Sequence, residues 1–318
     1  MTARAALRWL RRPAPAAFLA ALTITTAVEA AAPKVVVTVP PLHSLTALVM
    51  AGRGEPALLL PGGASPHVYV LKPSDARKLA RADIVIRVGE SLETFLEKPL
   101  VGLAAEARVI TLADEAGLRR LPVRQGGVWE KADEAAAEHD HHEGGVDPHL
   151  WLDPRNAQAI IAIVAAALSR ADPEGAETYA QNARAAAERI SALESELQAR
   201  LGPVRERPYV VFHDAYQYFE RSFALNAVGA VAVSPERPPG ARRLLEIRAK
   251  IRADGAACVF SEPQYRPRLV ETIVEGTGAK TAVLDPLGAA LAPGPEAYFG
   301  LMRNLAAALA ACLAPSNS

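Results

Sequence analysis

The sequence predicts an α/β protein with two βα lobes, each built on a four-stranded, mostly parallel sheet, joined by one long backbone helix. Short runs of β-branched residues alternate with helical patterns over residues 34–112 and again over residues 209–313. A continuous helical pattern separates the two series. Alanine is abundant and aromatic residues make up only 5% of the chain, which favours helices over an all-β fold.

The first 30 residues have the pattern of a secretory signal peptide. Four arginines precede an apolar run over residues 16–27, and Val28 and Ala30 occupy the small-residue positions of a cleavage site. The run is shorter than the roughly 20 residues that a membrane-spanning helix requires. We therefore predict export to the periplasm, cleavage near Ala30 and no membrane anchor in the mature chain.

The charge balance argues against a nucleic-acid partner. Lys plus Arg and Asp plus Glu both number 35, and the leader contains four of the arginines but only one glutamate. The mature chain is therefore slightly acidic and has no basic excess to neutralise phosphates. The basic run over residues 242–252 is better explained as the exposed face of an amphipathic helix.

The N-terminal lobe is predicted over residues 31–172. Its strands are expected at residues 34–39, 57–60, 83–89 and 108–112, with helices from about Leu42, over residues 73–82 and over residues 90–100. Residues 122–147 show no periodicity and are rich in Gly, acidic residues and His, which indicates a surface loop. An N-capping Asp153 followed by Pro154 then begins a helix that continues to about Ala171.

The linking helix is predicted over residues 173–202, where Asp172 followed by Pro173 repeats the same start signal. The C-terminal lobe follows over residues 203–318. Its strands are expected at residues 209–212, 227–233, 257–261 and 280–284, and its last helix at residues 295–313. Because a continuous helix connects the lobes, we expect small lobe tilts rather than wide hinge closure.

Candidate metal ligands fall at the carboxyl ends of the predicted strands, where open parallel sheets bind their ligands. The candidates from both lobes are His43, His67, His149, His213, Glu262 and Asp285. Any one of them alone is more simply a hydrogen-bonded core histidine or a helix-capping aspartate. Their matching positions favour one site between the lobes. Three imidazoles and one carboxylate, from His67, His149, His213 and Asp285, suit zinc better than manganese.

The chain has two cysteines, Cys258 and Cys312. In an exported protein an even pair predicts a disulfide, whereas two buried thiols that never meet would be the alternative. The predicted leader favours the disulfide.

Several motifs carry a resemblance to a known family. They are TVPPLHSLTALV, LLPGGASPHVYVLKPSDARKLARADIVIRVG, DPHLWLDPRNA, SRADPEGAETYAQNA, VVFHDAYQYFE, FSEPQ and LDPLG. Together they resemble the periplasmic zinc-binding solute receptors of bacterial ABC importers, the ZnuA/TroA type of the metal-binding cluster A-I family. The resemblance spans nearly the whole mature chain. It implies two lobes on a rigid helix, a zinc ion held between them as the transported ligand, and delivery to a membrane permease.

The resemblance also implies a ligand set of His67, His149, His213 and Asp285. Manganese members of this family carry Glu where His213 stands, so this chain is expected to bind zinc. Some zinc receptors have Glu directly before the first ligand histidine, but this sequence has Pro66 there. His43 and Glu262 are expected near the site without being ligands. The family often carries a His- and acid-rich loop, so His139, His141 and His142 could bind a second metal or simply form a solvated loop.

Two other functions are alternatives to a transport receptor: a secreted zinc hydrolase, and a zinc buffer or metallochaperone. A secreted zinc hydrolase needs an activated water and a general base, but the sequence lacks H-E-x-x-H and G-x-S-x-G motifs. Four protein ligands would also leave no place for a catalytic water. A zinc buffer or metallochaperone would use the same site and differ only in its partner. We therefore predict a monomeric transport receptor that is not an enzyme.

Overall fold

A computed structural model describes residues 32–124, 145–232, 239–265 and 268–315. The predicted leader lies outside the described residues, as do His139, His141 and His142. Within the described residues, no helix combines the length and the apolar character needed to cross a membrane.

The first series of elements builds a four-stranded parallel sheet. Its strands are β1 (Val35–Val37), β2 (Ala57–Leu58), β3 (Ile84–Arg87) and β4 (Arg108–Thr111), in the spatial order β2-β1-β3-β4. The connecting helices are α1 (Pro40–Met50), α2 (Pro73–Leu79) and α3 (Glu97–Leu103). Every strand pair in this sheet is parallel. The valines and isoleucines of the central strands β1 and β3 are all buried, as expected for a sheet covered on both faces.

Two long helices follow. Helix α4 (Pro154–Ala171) begins as the sequence predicts: Asp153 accepts a hydrogen bond from the Arg155 amide, and Pro154 occupies the first turn. Asp172 then caps a 3₁₀ turn, and α5 (Ala176–Leu201) continues for 26 residues. At 1.5 Å per residue α5 is about 39 Å long. The predicted linking helix is therefore confirmed, with its ends formed by 3₁₀ turns.

The second series repeats the first. Its strands are β5 (Tyr209–His213), β6 (Ala227–Ala232), β7 (Cys258–Ser261) and β8 (Lys280–Val283), in the order β6-β5-β7-β8 and again all parallel. The helices are α6 (Gln217–Phe223), α7 (Ala241–Ala253), α8 (Arg268–Val274) and α9 (Ala297–Leu313). The two parallel sheets confirm the predicted α/β fold class.

The last helix ties the two series together. Helix α9 packs on α1 and α5, and the amide of Tyr298 donates to Ser44 Oγ on α1 (2.9 Å). A disulfide between Cys258 and Cys312 joins α9 to β7, with Cα atoms 6.2 Å apart, so the predicted disulfide is present. One hydrophobic cluster includes residues of both sheets, and a second, smaller cluster packs only within the second series. Because α9 contacts elements of both series, the predicted lobe boundaries remain a prediction.

Candidate metal centre

His67 lies on a single 3₁₀ turn, Pro66–Val68, that follows β2. The preceding sequence, PGGAS, contains Gly63 with a φ of +84°, a conformation that glycine adopts without steric cost. Pro66 then fixes the first residue of the turn. The sequence thus forms a tight turn that presents one imidazole, which is half-buried.

His149 and His213 are more deeply placed. His149 precedes the 3₁₀ turn Leu150–Leu152, and His213 is the last residue of β5; each is 4% exposed. Trp151, which is fully buried, packs edge-on against the His149 ring at 5.4 Å between centroids. Its indole Nε1 donates to the Pro286 carbonyl (2.9 Å), which ties this turn to the loop after β8.

The three imidazoles converge. One ring nitrogen from each of His67, His149 and His213 lies within 4.8 Å of the other two. His149 Nε2 and His213 Nε2 are 3.4 Å apart. Two nitrogens bound at about 2.0–2.1 Å to one tetrahedral zinc ion lie about 3.3–3.4 Å from each other. The spacing of these two nitrogens therefore already matches a shared tetrahedral ion.

Buried carboxylates orient two of the rings. His149 Nδ1 lies 2.8 Å from Asp147 Oδ1, and His213 Nδ1 lies 2.6 Å from Glu262 Oε1. When both rings are neutral, each Nδ1 donates its proton to a carboxylate, so each Nε2 presents its lone pair to the other. Facing lone pairs repel unless a cation lies between them. Carboxylates behind histidine ligands fix the tautomer and raise the basicity of the ring.

The electrostatics of the two rings differ. Burial, reinforced by the neighbouring His213, lowers the pKa of His149 well below its ordinary value. Burial also lowers the pKa of His213, but the charge and hydrogen bond of Glu262 outweigh it, and the net pKa is raised. Burial raises the pKa of Asp147 to about 7. Burial thus keeps His149 neutral and ready to bind a cation, whereas a proton competes more strongly with the cation at His213.

Asp285 lies on the loop after β8 and is held by that loop. Its Oδ1 accepts from Gln264 Nε2 (2.9 Å) and the Leu287 amide (3.0 Å), and its Oδ2 accepts from the Ala289 amide (2.6 Å). Within the described part of the chain, the cluster of converging ligand atoms contains the three histidines and not Asp285. Its role as fourth ligand therefore stays a prediction.

The other two candidates have different positions. Glu262 is 3% exposed and supports His213 from behind, as an outer group of the site. His43 is buried on α1, where its Nε2 donates to the Pro56 carbonyl (2.9 Å). It does not line the cavity that the three imidazoles share. Position after a strand end was therefore not sufficient to place a residue at the site.

A small cavity surrounds the imidazoles, with a volume of about 10 Å³. This is room for about one water molecule. Its walls come from both series of elements and are formed by Ser65, Pro66, His67, His149, Trp151, His213, Glu262, Gln264, Tyr265, Pro286 and Leu287. The cavity has room for a single ion beside the three imidazoles.

Sequence reasoning missed a polar network behind the cavity. Arg124 Nε lies 3.0 and 2.9 Å from the two carboxylate oxygens of Asp214, and its guanidinium also pairs with Glu220 (2.9 Å). Burial raises the pKa of Glu220 to about 7.

The ends of the predicted surface loop are paired with each other. Residues 121–124 pair with residues 145–147 through the Pro122–Val146 bridge and form a stem. In the sequence, only the D-x-H spacing of Asp147 and His149 indicates that Asp147 could contact the His149 ring.

Comparison with known proteins agrees with this geometry. The model of the family described as "Zinc-uptake complex component A periplasmic" matches residues 35–312. The high-affinity zinc uptake system protein ZnuA of Brucella abortus is 45% identical over 304 residues, which is 88% of this chain and 91% of the relative. The protein of the same name from Paracoccus denitrificans is 38% identical over 332 residues, 95% of this chain and 98% of the relative.

A solved structure supports the fold. The periplasmic zinc-binding protein TroA from Treponema pallidum superposes with a TM-score of 0.74 at 21% identity, covering 89% of this chain and all of the other. Sequence and structure together give one conclusion: this chain belongs to the family of periplasmic zinc-uptake complex component A, the ZnuA family.

Proposed function

We propose that this chain is a periplasmic receptor that captures one zinc ion with His67, His149 and His213 and delivers it to the permease of an ABC importer. The observation that carries the proposal is the convergence of the three imidazole nitrogens within 4.8 Å. Buried carboxylates behind two of the rings support it. Family membership supports uptake as the purpose of binding.

Zinc is the proposed cargo because the converging ligands are nitrogens. Imidazole suits zinc, whereas manganese prefers more oxygen ligands. We propose Asp285 as the fourth ligand, since its neighbours Pro286 and Leu287 and its partner Gln264 line the same cavity. To bind the ion, the carboxylate has to exchange at least one of its present hydrogen bonds.

A hydrolase is disfavoured by the size of the cavity. A zinc hydrolase must hold a substrate beside a metal-bound water, and a volume of about 10 Å³ holds about one water. The family is one of uptake components and not of enzymes. A periplasmic location and a monomeric state are parts of the proposal.

Metal analysis of the untagged protein tests the site. We expect one zinc per chain, and loss of that zinc or a large drop in affinity for His67→Ala, His149→Ala and His213→Ala. The matched control is His43→Gln, which replaces a buried histidine that does not line the cavity. Equal zinc binding by all four variants would refute the site. Asp285→Ala is measured separately, because wild-type affinity in that variant would remove only the fourth ligand.

Growth under zinc chelation tests delivery. The chain should restore growth to a bacterium that lacks its own zinc receptor but keeps the matching permease. It should give no rescue when the permease is deleted too. Rescue that persists without the permease would favour a zinc buffer or metallochaperone.

A further inference from the structure

The loop that carries His67 crosses to the second series of elements at two points. We define the His67 loop as residues 61–67. At its start, a Cβ atom added to Gly62 would lie 2.7 Å from the Ala289 carbonyl oxygen. This is a backbone atom, so it cannot be relieved by a side-chain rotation. Only glycine allows the two loops to approach this closely.

The Ala289 peptide belongs to the loop that holds Asp285. The Ala289 amide donates to Asp285 Oδ2 at 2.6 Å. Gly62 therefore lies against the carbonyl of the same residue whose amide holds the carboxylate proposed as the fourth ligand. The absence of a side chain at Gly62 therefore permits the close approach of the His67 loop to the Asp285 loop.

The second crossing is a hydrogen bond between hydroxyl groups. Ser65 Oγ lies 3.2 Å from Tyr265 OH, and the two residues are 200 positions apart in sequence. The Tyr265 ring stacks on Phe212 with centroids 4.8 Å apart and planes at 19°, and it meets the His213 ring edge-on at 6.0 Å. The bond thus joins the His67 loop to the aromatic group that packs beside His213.

His67 is the most exposed of the three histidines. His149 and His213 are 4% exposed, and a carboxylate holds each ring. His67 is half-buried on a single 3₁₀ turn, and the glycines of its loop are exposed. We propose that Gly62 and the Ser65–Tyr265 hydrogen bond are positioning features that seat His67 against the ion and set the rate of zinc release. This inference rests on the proposed function.

Stopped-flow measurement of zinc dissociation into a chelating dye tests the hydrogen bond. Ser65→Ala and Tyr265→Phe should each release zinc about three- to tenfold faster, which is the range expected for loss of one hydrogen bond. The double variant should release zinc no faster than the faster single variant, because both changes break the same bond. Zinc association and the stoichiometry should stay unchanged. The control is Tyr179→Phe, which removes a buried hydroxyl bonded to Asp172, away from the cavity.

Gly62→Ala tests the loop contact. We expect faster release than in Ser65→Ala, and a changed d–d absorption spectrum when Co²⁺ replaces zinc, because His67 is displaced. The control is Gly102→Ala on α3, where an added Cβ meets no atom within 4 Å. Thermal unfolding of each metal-free variant shows that the fold is intact.

The outcomes separate the two proposals. A wild-type protein that binds no zinc refutes the proposed function. Normal zinc binding with unchanged release rates in Ser65→Ala, Tyr265→Phe and Gly62→Ala refutes the positioning role and leaves the receptor function standing. Additive effects in the double variant would show that Ser65 and Tyr265 act separately, which overturns the proposed bond.

Discussion

Replacing Glu262 with glutamine should weaken zinc binding without changing the shape of the site. Glu262 Oε1 lies 2.6 Å from His213 Nδ1, and the residue is 3% exposed. The amide oxygen of glutamine can still accept this hydrogen bond, so the change removes mainly the negative charge. Loss of an outer partner of a metal-bound histidine typically costs about 10- to 100-fold in affinity, which is about 1.4–2.7 kcal/mol.

The pH dependence gives this prediction a second signature. The charge of Glu262 raises the pKa of His213 against the effect of burial, so a proton competes with zinc in the wild-type protein. In Glu262→Gln the pKa of His213 falls and the proton competes less. The affinity gap between variant and wild type should therefore be widest at the alkaline end of the pH range, where proton competition at His213 is weakest in both proteins. It should narrow as the pH falls.

Competition titration against a zinc chelator between about pH 5.5 and pH 8 measures both effects. The control is Glu93→Gln, which alters another fully buried glutamate that accepts from Thr38 Oγ1 (2.6 Å) and the Gly89 amide (2.8 Å) and does not line the cavity. Wild-type affinity of Glu262→Gln at pH 8 would refute the reasoning. An affinity difference between variant and wild type that grows as the pH falls would refute the conclusion that Glu262 raises the pKa of His213.

Three further predictions concern the scaffold. Arg124→Met leaves the Asp214 and Glu220 carboxylates buried without their cation, so we expect a loss of about 3–5 kcal/mol in the free energy of unfolding, measured by urea titration. The double variant with Cys258→Ser and Cys312→Ser should lose about 2–4 kcal/mol in the free energy of unfolding, measured by the same titration. Its zinc stoichiometry should be unchanged. X-ray scattering of the metal-free and zinc-bound protein should show only a small difference, because a continuous 26-residue helix and a shared core connect the two sheets.

Each of these has a result that would contradict it. Arg124→Met as stable as the wild type would mean that water or neutral carboxyl groups already relieve the buried charge. Unchanged stability of the double serine variant would show that the disulfide adds nothing to the packing of α9 on β7. A large change in radius of gyration on zinc binding would overturn the expectation of small lobe tilts.

Much of the fold could be predicted because its signals are local. The β-branched runs around Val36 and Val85 predicted the strands β1 and β3, and Asp153 before Pro154 predicted the start of α4. The return of α9 to α1 could not be predicted in the same way. It depends on contacts such as Tyr298 with Ser44, which are 254 positions apart, and no local pattern encodes them.

The same distinction between local patterns and long-range contacts applies to the residues of the site. The positions of His67 and His213 could be predicted, because each lies at the carboxyl end of a strand, where parallel sheets bind their ligands. His43 fails the same rule, because it lies in the buried helix α1, where its ring hydrogen-bonds the Pro56 carbonyl and does not line the cavity. Asp147 was assigned to the surface loop, since a stretch without periodicity gives no sign that its last residues form a buried stem. Side-chain direction, and not position along the chain, separates these cases.

Zinc-edge anomalous diffraction from a crystal of the zinc-loaded protein tests the central claim most directly. We predict one strong peak between the two sheets, about 2.0–2.1 Å from the Nε2 atoms of His149 and His213 and from one ring nitrogen of His67. A peak bound by only one of these rings, or separate peaks at different histidines, would contradict the account.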